Sequence, residues 1–299
     1  MRVLVSGASG LIGSALVRSL RADGVSVQRL VRRAVQQADE VGWDPQAGRG
    51  PDPKVVDGVD AVVHLSGAGL GDRFWTTSYK REIRASRVET TRILAETLAG
   101  LAAPPRVFLV ASAIGWYGDT GDRETDENGP PGSDFLANVC REWEEAAAPA
   151  RLAGIRTVHV RSGIVLSTRG GALARVLPLF RLGLGARLGT GRQWVSWIAR
   201  PDHVAALRFL LDSDLSGPVN LTAPQPVTNA EYTAAIARAV RRPALLSVPA
   251  PALRLLLGEM AQLLLVSQRV IPRRLLDAGF TFGYPDVESA VRELVASGS

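Results

Sequence analysis

A glycine-rich turn near the start of the chain limits its possible folds more than any other feature. A short apolar run, Val3 to Ser6, leads directly into this turn, which spans Gly7 to Gly13. A stretch with helical periodicity follows from Ser14 to Ala22, and a second apolar run spans Val25 to Val31. This order predicts a strand, a tight turn, a helix and a second strand, the context that a dinucleotide-binding turn requires.

Each glycine of the turn has a different reason to lack a side chain. Gly7 allows the tight turn after the strand, Gly10 lets a pyrophosphate approach the backbone, and Gly13 lets the helix lie close to the sheet. The following helix offers free N–H groups and the positive end of its dipole to phosphates. The alternative, a glycine turn that binds nothing, is disfavoured by the surrounding strand and helix pattern. The expected cofactor contacts of this segment are Gly7, Ser9, Gly10, Leu11, Ile12 and Gly13.

Strands and helices alternate through the first two-thirds of the chain, which predicts a parallel sheet covered by helices. The run from Ala61 to Leu65 is typical of a strand buried on both faces. A helix is predicted from Ser133 to Leu152, and a strand from Thr157 to Leu166. Beyond Ser167, glycines interrupt the chain, and helical segments dominate from Pro249. We therefore predict an α/β fold with a Rossmann-type doubly wound parallel sheet over residues 1–166. Residues 167–299 are expected to form a smaller, mainly helical substrate-side and C-terminal region, with one strand near 219–222 returning to the sheet.

Charge and cysteine content exclude several classes of function. The 299 residues carry a net charge of +6, but Lys54 and Lys80 are the only lysines and the arginines are scattered. Without a basic stripe, nucleic-acid binding is disfavoured. Cys140 is the single cysteine, which excludes an internal disulfide and a site with several thiolate ligands. We expect Cys140 to be a small buried hydrophobic residue.

The chain shows no pattern typical of secretion or of membrane insertion. Met1 leads straight into the first predicted strand, which leaves no room for a signal peptide. The most apolar stretch, Leu253 to Val266, is interrupted by polar residues and is too short for a membrane span. We therefore expect a cytoplasmic protein without a membrane partner.

The same stretch has apolar residues at helical spacing, so the segment from Pro249 to Tyr284 is predicted to form a helical pack against the main domain. The alternative is that this apolar stripe forms a homodimer interface. Pro272 fits the first turn of a new helix and Gly279 fits its end. The residues that form the stripe are Leu253, Leu256, Leu257, Met260 and Leu264.

Two arginines, Arg32 and Arg33, close the second strand. Proteins that bind NAD usually carry an acid there for the ribose 2′-hydroxyl, whereas a 2′-phosphate requires arginine. No acid occurs before Asp39. The arginines could also be two solvated side chains, but their position favours a 2′-phosphate clamp. The sequence therefore predicts NADP(H) as the cofactor.

The fourth strand ends in a run of small residues. In an open parallel sheet, ligands bind beyond the carboxyl ends of the strands. We expect Leu65, Ser66 and Gly67 to lie along the cofactor ribose. His64 is expected to be a packed strand residue rather than a catalyst.

The fifth strand ends at Ala111 and Ser112, which are also expected to contact the cofactor. Ser112 would project over the nicotinamide, and Tyr117 lies in the loop just after. Ser112 could equally be a small residue at a strand end.

Taken in order, these segments resemble the extended short-chain dehydrogenase/reductase superfamily. They resemble in particular its sugar-nucleotide-epimerase-like branch with a C-terminal domain of unknown function. The resemblance implies an NADP(H)-dependent oxidoreductase with an unidentified small-molecule substrate. The stretches that carry it are Ser6–Gly13, Trp43–Pro45, His64–Gly67, Ser86–Thr91, Ser112–Gly118, Phe135–Glu144, Arg161–Leu166, Trp194–Ile198 and Pro249–Tyr284.

The chain departs from that family at its usual catalytic pair, a tyrosine followed four residues later by a lysine that lowers the phenol's pKa. Phe135 or Leu136 occupies the tyrosine position, and Val139 or Cys140 occupies the lysine position. Ala199 also replaces the histidine of the family's Trp-Ile-His motif. Ordinary epimerase chemistry is therefore disfavoured.

The resemblance instead implies that Ser112 and Tyr117 are catalytic. Without a nearby lysine, Tyr117 should keep a phenol pKa of about 10 and act as a hydrogen-bond donor. Glu142 and Glu144 are reserve candidates for proton transfer, although exposed helix acids are the favoured interpretation of both. The alternative function is a non-catalytic NADP(H)-binding regulatory protein.

Overall fold

Apolar parallel strands form the centre of the molecule, which the computed structural model describes over residues 1–298. The strands are β1 (Arg2–Ser6), β2 (Ser26–Val31), β3 (Glu40–Gly42), β4 (Ala61–His64), β5 (Val107–Ala113), β6 (Arg156–Ser162), β7 (Ile164–Leu166), β8 (Ala186–Leu188), β9 (Trp194–Val195), β10 (Trp197–Ala199), β11 (Gly217–Leu221), β12 (Val227–Thr228) and β13 (Leu246–Val248).

Helices connect and cover these strands. They are α1 (Leu11–Ala22), α2 (Pro53–Val56), α3 (Thr77–Ala99), α4 (Phe135–Glu145), α5 (Ala148–Leu152), α6 (Gly171–Arg181), α7 (Arg200–Asp212), α8 (Asn229–Val240), α9 (Ala250–Leu257), α10 (Gln262–Leu265), α11 (Arg273–Asp277) and α12 (Val287–Ser297). Short 3-10 turns lie at Pro45–Ala47, Ile114–Tyr117 and Gly258–Ala261. No helix among residues 1–298 is long and apolar enough to cross a membrane.

The main sheet has seven parallel strands in the order β11-β6-β5-β4-β1-β2-β3. The strand order reverses at β1: the chain first adds β2 and β3 on one side of β1, and then β4, β5, β6 and β11 on the other. β11 pairs with β6 at the place where the sequence predicted a return to the sheet. The predicted doubly wound α/β fold with a helical C-terminal region is confirmed.

Two hydrophobic cores lie on opposite faces of this sheet. On one face, Leu16 and Leu20 of α1 pack with Leu207 of α7 against the strands. On the other face, Leu94 of α3 and Trp143 of α4 pack against the same strands. Helices on both faces explain why the central strands read as continuous apolar runs.

The turn between β1 and α1 depends on close backbone contacts. Gly7 has a φ of +66°, and a Cβ there would lie 2.7 Å from the carbonyl oxygen of Leu65. A Cβ on Gly13 would overlap the carbonyl oxygen of Gly7. The two glycines thus bring α1 against the end of β1, as the sequence predicted.

Two predicted elements are divided in the structure. The expected helix from Ser133 to Leu152 is instead α4 followed by α5, with Pro149 in the first turn of α5. Proline cannot supply the N–H group that a continuous helix needs, so a new helix begins there. The expected strand from Thr157 to Leu166 breaks at Gly163, and β7 pairs with β10 outside the main sheet. A Cβ on Gly163 would lie 2.7 Å from the carbonyl oxygen of Ser196.

The C-terminal helices pack against the rest of the chain through only part of the predicted stripe. Leu253 is 6% exposed, but Leu256 is 67% exposed, so the expectation that Leu256 is buried was wrong. The predicted stripe also does not continue along one helix, because α9 ends at Leu257 and a 3-10 turn follows. Val291 and Leu294 of α12 are instead buried, where α12 packs on α8 in a hydrophobic cluster that also includes α6.

The segment after α10 joins several loops by backbone hydrogen bonds. The Thr120 N–H donates to the Ser267 carbonyl at 2.8 Å, and the Gln268 N–H donates to Trp194 at 3.1 Å. Thr125 and Val270 form a parallel β-bridge, and Val270 is fully buried. The C-terminal region is therefore interlocked with the loops that follow β5 and precede β10.

The contact between α1 and the glycine turn gives the first prediction. Gly13→Ala should lower the free energy of unfolding by about 1–3 kcal/mol, since its Cβ would force the helix away from the turn. Gly10→Ala is the milder comparison and should cost less, because Gly10 has a φ of −73° and its Cβ would lie 3.2 Å from the Gly7 carbonyl oxygen, whereas a Cβ on Gly13 would overlap that atom. Urea denaturation of both variants checks this, and equal stabilities would contradict the close-contact explanation.

The interlocked C-terminal region gives the second prediction. A chain ending at Val248 should be insoluble, because removal of α12 and of Val270 exposes the apolar surface that they cover. Expression and sedimentation of the truncated chain test this. A soluble, folded truncation would instead indicate a detachable module.

Candidate active site

The N-terminus of α1 lies open at the carboxyl end of β1. Ser9 and Gly10 are exposed, and no side chain caps the helix that begins at Leu11. The Gly10 N–H closes the turn by donating to the Gly7 carbonyl at 3.0 Å. The uncapped first-turn N–H groups and the helix dipole make this position suitable for an anion such as a pyrophosphate.

A buried hydrogen-bond network joins the ends of β1 and β4. Ser6 Oγ lies 2.6 Å from Nδ1 of His64. Ser6 Oγ also accepts hydrogen bonds from the Leu65 N–H at 3.2 Å and from the Ser66 hydroxyl at 3.1 Å. On its other side, His64 Nε2 lies 3.3 Å from Thr90 Oγ1. Burial lowers the pKa of His64 to about 3, so the ring is neutral at physiological pH. His64 is a packed structural residue, as predicted, and it fixes the path of residues 65–67.

The two arginines after β2 have different environments. Arg33 makes a bidentate ion pair with Glu40 of β3, at 2.9 and 2.6 Å. The hydrogen bonds from Arg33 and from the backbone of Gln36 lower the pKa of Glu40 to about 2. Arg32 is exposed and has no carboxylate partner among the described residues. Of the predicted pair, only Arg32 is thus uncommitted.

Arg87 of α3 is a cation at this edge that the sequence analysis did not single out. Its guanidinium donates to the carbonyls of Ala68 and Ile83 at 2.9 and 3.0 Å, and lies over the ring of Trp143. A Cβ on Gly67 would lie 3.2 Å from its Cζ. Burial lowers its pKa, and no carboxylate among residues 1–298 pairs with it. The loop after β4 therefore covers a cation that still has free donors.

Ser112, at the end of β5, belongs to a buried network with a glutamate and an arginine. Its hydroxyl donates to Oε1 of Glu144 at 2.7 Å. Arg161 of β6 donates to the same carboxylate through Nε and Nη2 at 2.8 and 2.9 Å. The Arg161 and Glu144 side chains are only 3% and 9% exposed. This arrangement links a hydroxyl to a carboxylate that is held in place by a bidentate cation.

The two reserve acids of α4 thus differ. Glu142 is exposed and pairs with Arg84 at the surface, as expected of a helix acid. The same expectation was wrong for Glu144, which faces the sheet. The sequence contains a signal for this, since Glu144 shares helical spacing with the buried residues Ala137 and Cys140.

Tyr117 points into the protein rather than toward an open site. It is 2% exposed, its hydroxyl donates to Asn220 at 2.7 Å, and it accepts a hydrogen bond from Arg161 at 3.0 Å. Burial raises its pKa to about 12, so the expected value of about 10 was wrong. The 3-10 turn at residues 114–117 turns this side chain inward beneath Arg161.

A cavity of about 360 Å³ opens beside Ser112, between the ends of β5 and β6 and the C-terminal region. Leu136, Val139 and Cys140 of α4 line one wall. Burial raises the pKa of the Cys140 thiol to about 12, so this cysteine is an uncharged wall residue. The cavity lies beyond the carboxyl ends of the strands, where open α/β sheets bind ligands.

Comparison with protein families agrees with this geometry. The model for the NAD-dependent epimerase/dehydratase family matches residues 3–222. A second model, a domain of unknown function, matches residues 248–294.

Individual relatives match the chain along nearly its whole length. An epimerase family protein of Mycobacterium tuberculosis is 47% identical over 291 residues, which are 97% of this chain and 96% of that protein. The crystal structure of human epimerase family protein SDR39U1 with NADPH has a TM-score of 0.90 and 33% identity, and covers 99% of both chains. UDP-glucose 4-epimerase of Thermus thermophilus, solved with NAD, has a TM-score of 0.74 at 21% identity, which shows the shared fold. The chain therefore belongs to the NAD-dependent epimerase/dehydratase family.

Proposed function

We propose that this protein is an NADP(H)-dependent oxidoreductase that interconverts an alcohol and a carbonyl compound. The observation that carries the proposal is the Ser112–Glu144–Arg161 network beside the cavity at the carboxyl edge of the sheet. It offers a route for a proton next to the position where a nicotinamide is expected.

The residues at this edge fit a dinucleotide with a 2′-phosphate. The open N-terminus of α1 suits the pyrophosphate, and Gly10 leaves its backbone accessible. Arg32 is free for the 2′-phosphate, while the buried Glu40 of β3 is already held by Arg33. Arg87 adds a half-buried cation beneath Gly67, where it can donate to the cofactor's ribose or phosphate oxygens. The human relative of known structure was solved with NADPH.

When bound, the nicotinamide accepts or donates the hydride, and the protein provides position and proton transfer. The Ser112 proton is directed at Glu144, which leaves lone pairs on Oγ for a donor in the cavity. A substrate hydroxyl can therefore donate to Ser112. During alcohol oxidation its proton moves to Ser112 Oγ while the serine proton moves to Glu144, and carbonyl reduction reverses both transfers.

This route replaces the tyrosine and lysine pair of typical short-chain dehydrogenases. The corresponding positions on α4 carry apolar cavity-lining residues, among them Leu136 and Cys140. The proposal therefore assigns the acid–base role to Ser112 with Glu144.

Tyr117 is proposed to position Arg161 rather than to contact substrate. Its hydroxyl accepts from Arg161 Nη1, and the Arg161 guanidinium lies 5.1 Å from its ring centroid. Loss of this hydroxyl would act on the site only through Arg161.

The missing tyrosine and lysine pair also favours a second candidate function, a non-catalytic NADP(H)-binding regulator. Both candidates predict cofactor binding. Only the oxidoreductase predicts turnover that depends on Ser112.

Cofactor preference gives the third prediction. Arg32→Ala should weaken NADPH binding about 10- to 100-fold, since a charge-assisted bond to phosphate contributes roughly 1.5–3 kcal/mol. NADH binding should hardly change, and Arg33→Ala should have a smaller effect because Arg33 is paired with Glu40. Titration calorimetry measures the affinities of the wild type, Arg32→Ala and Arg33→Ala for NADPH and NADH. Equal affinity of the wild type for NADPH and NADH would contradict the assignment.

The proton route gives the fourth prediction. Ser112→Ala should lower turnover roughly 100-fold or more, the usual contribution of general acid–base catalysis, with NADPH affinity nearly unchanged. Glu144→Gln should lower turnover similarly, whereas Glu142→Gln, on the exposed side of the same helix, should not. NADPH consumption with a panel of aldehydes and ketones measures the rates.

Because Glu144→Gln also breaks a buried ion pair, its stability is measured by denaturation beside its activity. Undiminished turnover in Ser112→Ala would refute the proton route. Absence of turnover in the wild type, with NADPH still bound, would favour the regulator.

A further inference from the structure

The walls of the cavity beside Ser112 are mostly apolar. Aliphatic side chains from four parts of the chain, α4, α6, β9 and the segment around α10, face one another across it. They include Leu136, Val176, Val195, Leu263 and Val266.

The polar side chains of the wall are largely engaged within the protein. Gln268 donates to the carbonyls of Ile114 and Gly118, both at 3.1 Å. Asn229 accepts from the Leu188 N–H at 2.9 Å, and Ser196 donates to the Gln268 carbonyl at 2.7 Å. These groups fix the wall. The buried Tyr232 hydroxyl, by contrast, has no hydrogen-bond partner among the described residues and stays available to a ligand.

The wall also has almost no charge to offer. Among the described residues that line it, only Arg87 and Asp134 are charged, and their charges cancel. Asp134 accepts from the Ala137 N–H at the start of α4. Burial raises the pKa of Tyr232, so this phenol adds no charge either.

A nucleoside diphosphate would bring at least two negative charges into this space. Buried charges need partners, and phosphates are usually held by several arginines, lysines or N–H groups. Arg87 is the only cation of the wall, and we have proposed it as a cofactor contact. The volume of about 360 Å³ is also near the lower end of ligand pockets, which span roughly 300–1,000 Å³.

We infer that the substrate is a small, uncharged and mainly apolar alcohol or carbonyl compound, and not a nucleoside diphosphate sugar. This inference rests on the proposed function, because Ser112 is taken to contact the reacting oxygen. The apolar walls bind the body of the substrate by burying it, and Ser112 fixes its single reacting oxygen.

Binding is tested apart from turnover by using the protein saturated with NADPH, since NADPH and an alcohol are both reduced and cannot react. Ligand-observed NMR with cyclohexanol, benzyl alcohol and 1-octanol should detect binding, whereas UDP-glucose should not bind. Binding of UDP-glucose, or failure of all three alcohols to bind, would overturn the inference. Binding of the alcohols without turnover on NADP⁺ would refute the oxidoreductase proposal and leave the substrate class standing.

Two variants of α6 test whether the alcohols bind in the cavity beside Ser112. Val176→Glu places a charge in the cavity and should weaken alcohol binding at least tenfold, while NADPH binding is retained. Leu179→Glu, on the same helix but 50% exposed, is the matched control and should bind as the wild type does. If Val176→Glu fails to fold, Val176→Phe reduces the cavity without adding charge and should weaken the largest alcohol most. Unchanged alcohol binding in a folded Val176 variant would contradict the assignment to this cavity.

Discussion

The ion pair between Glu144 and Arg161 connects the fold to the candidate chemistry. Glu144 comes from α4 and Arg161 from β6, so the pair forms only when this helix packs on the sheet. Two buried charges are costly to desolvate, and a bidentate pair with further hydrogen bonds offsets that cost. Arg161 donates a further hydrogen bond to the Tyr117 hydroxyl, and its Cζ lies 3.9 Å from the ring centroid of Trp116 in a cation–π contact. The pair holds Glu144 where Ser112 can donate to it.

The same packing explains the shape of the cavity. With Glu144 directed at the sheet, the preceding turns of α4 present Leu136, Val139 and Cys140 to the space beside Ser112. One helix thus supplies both the proton acceptor and an apolar wall. A polar reaction centre in apolar surroundings is an arrangement in which electrostatic interactions are strong.

The sequence predicted the features that depend on local pattern. Gly7 and Gly13 mark the turn because their backbone contacts allow no Cβ, and the apolar runs mark strands buried on both faces. The prediction from sequence failed where contacts between distant segments determine the environment of a side chain. The pairing of Arg33 with Glu40 requires β2 and β3 to lie side by side, and the inward direction of Tyr117 requires the buried Asn220 of β11.

The role of Ser112 is tested most directly by a crystal structure of the complex with NADPH and benzyl alcohol. The account predicts that the alcohol oxygen lies about 2.8 Å from Ser112 Oγ, an ordinary hydroxyl hydrogen-bond distance, with the Ser112–Glu144 hydrogen bond intact. An alcohol oxygen held by another side chain, with Ser112 out of reach, would contradict it.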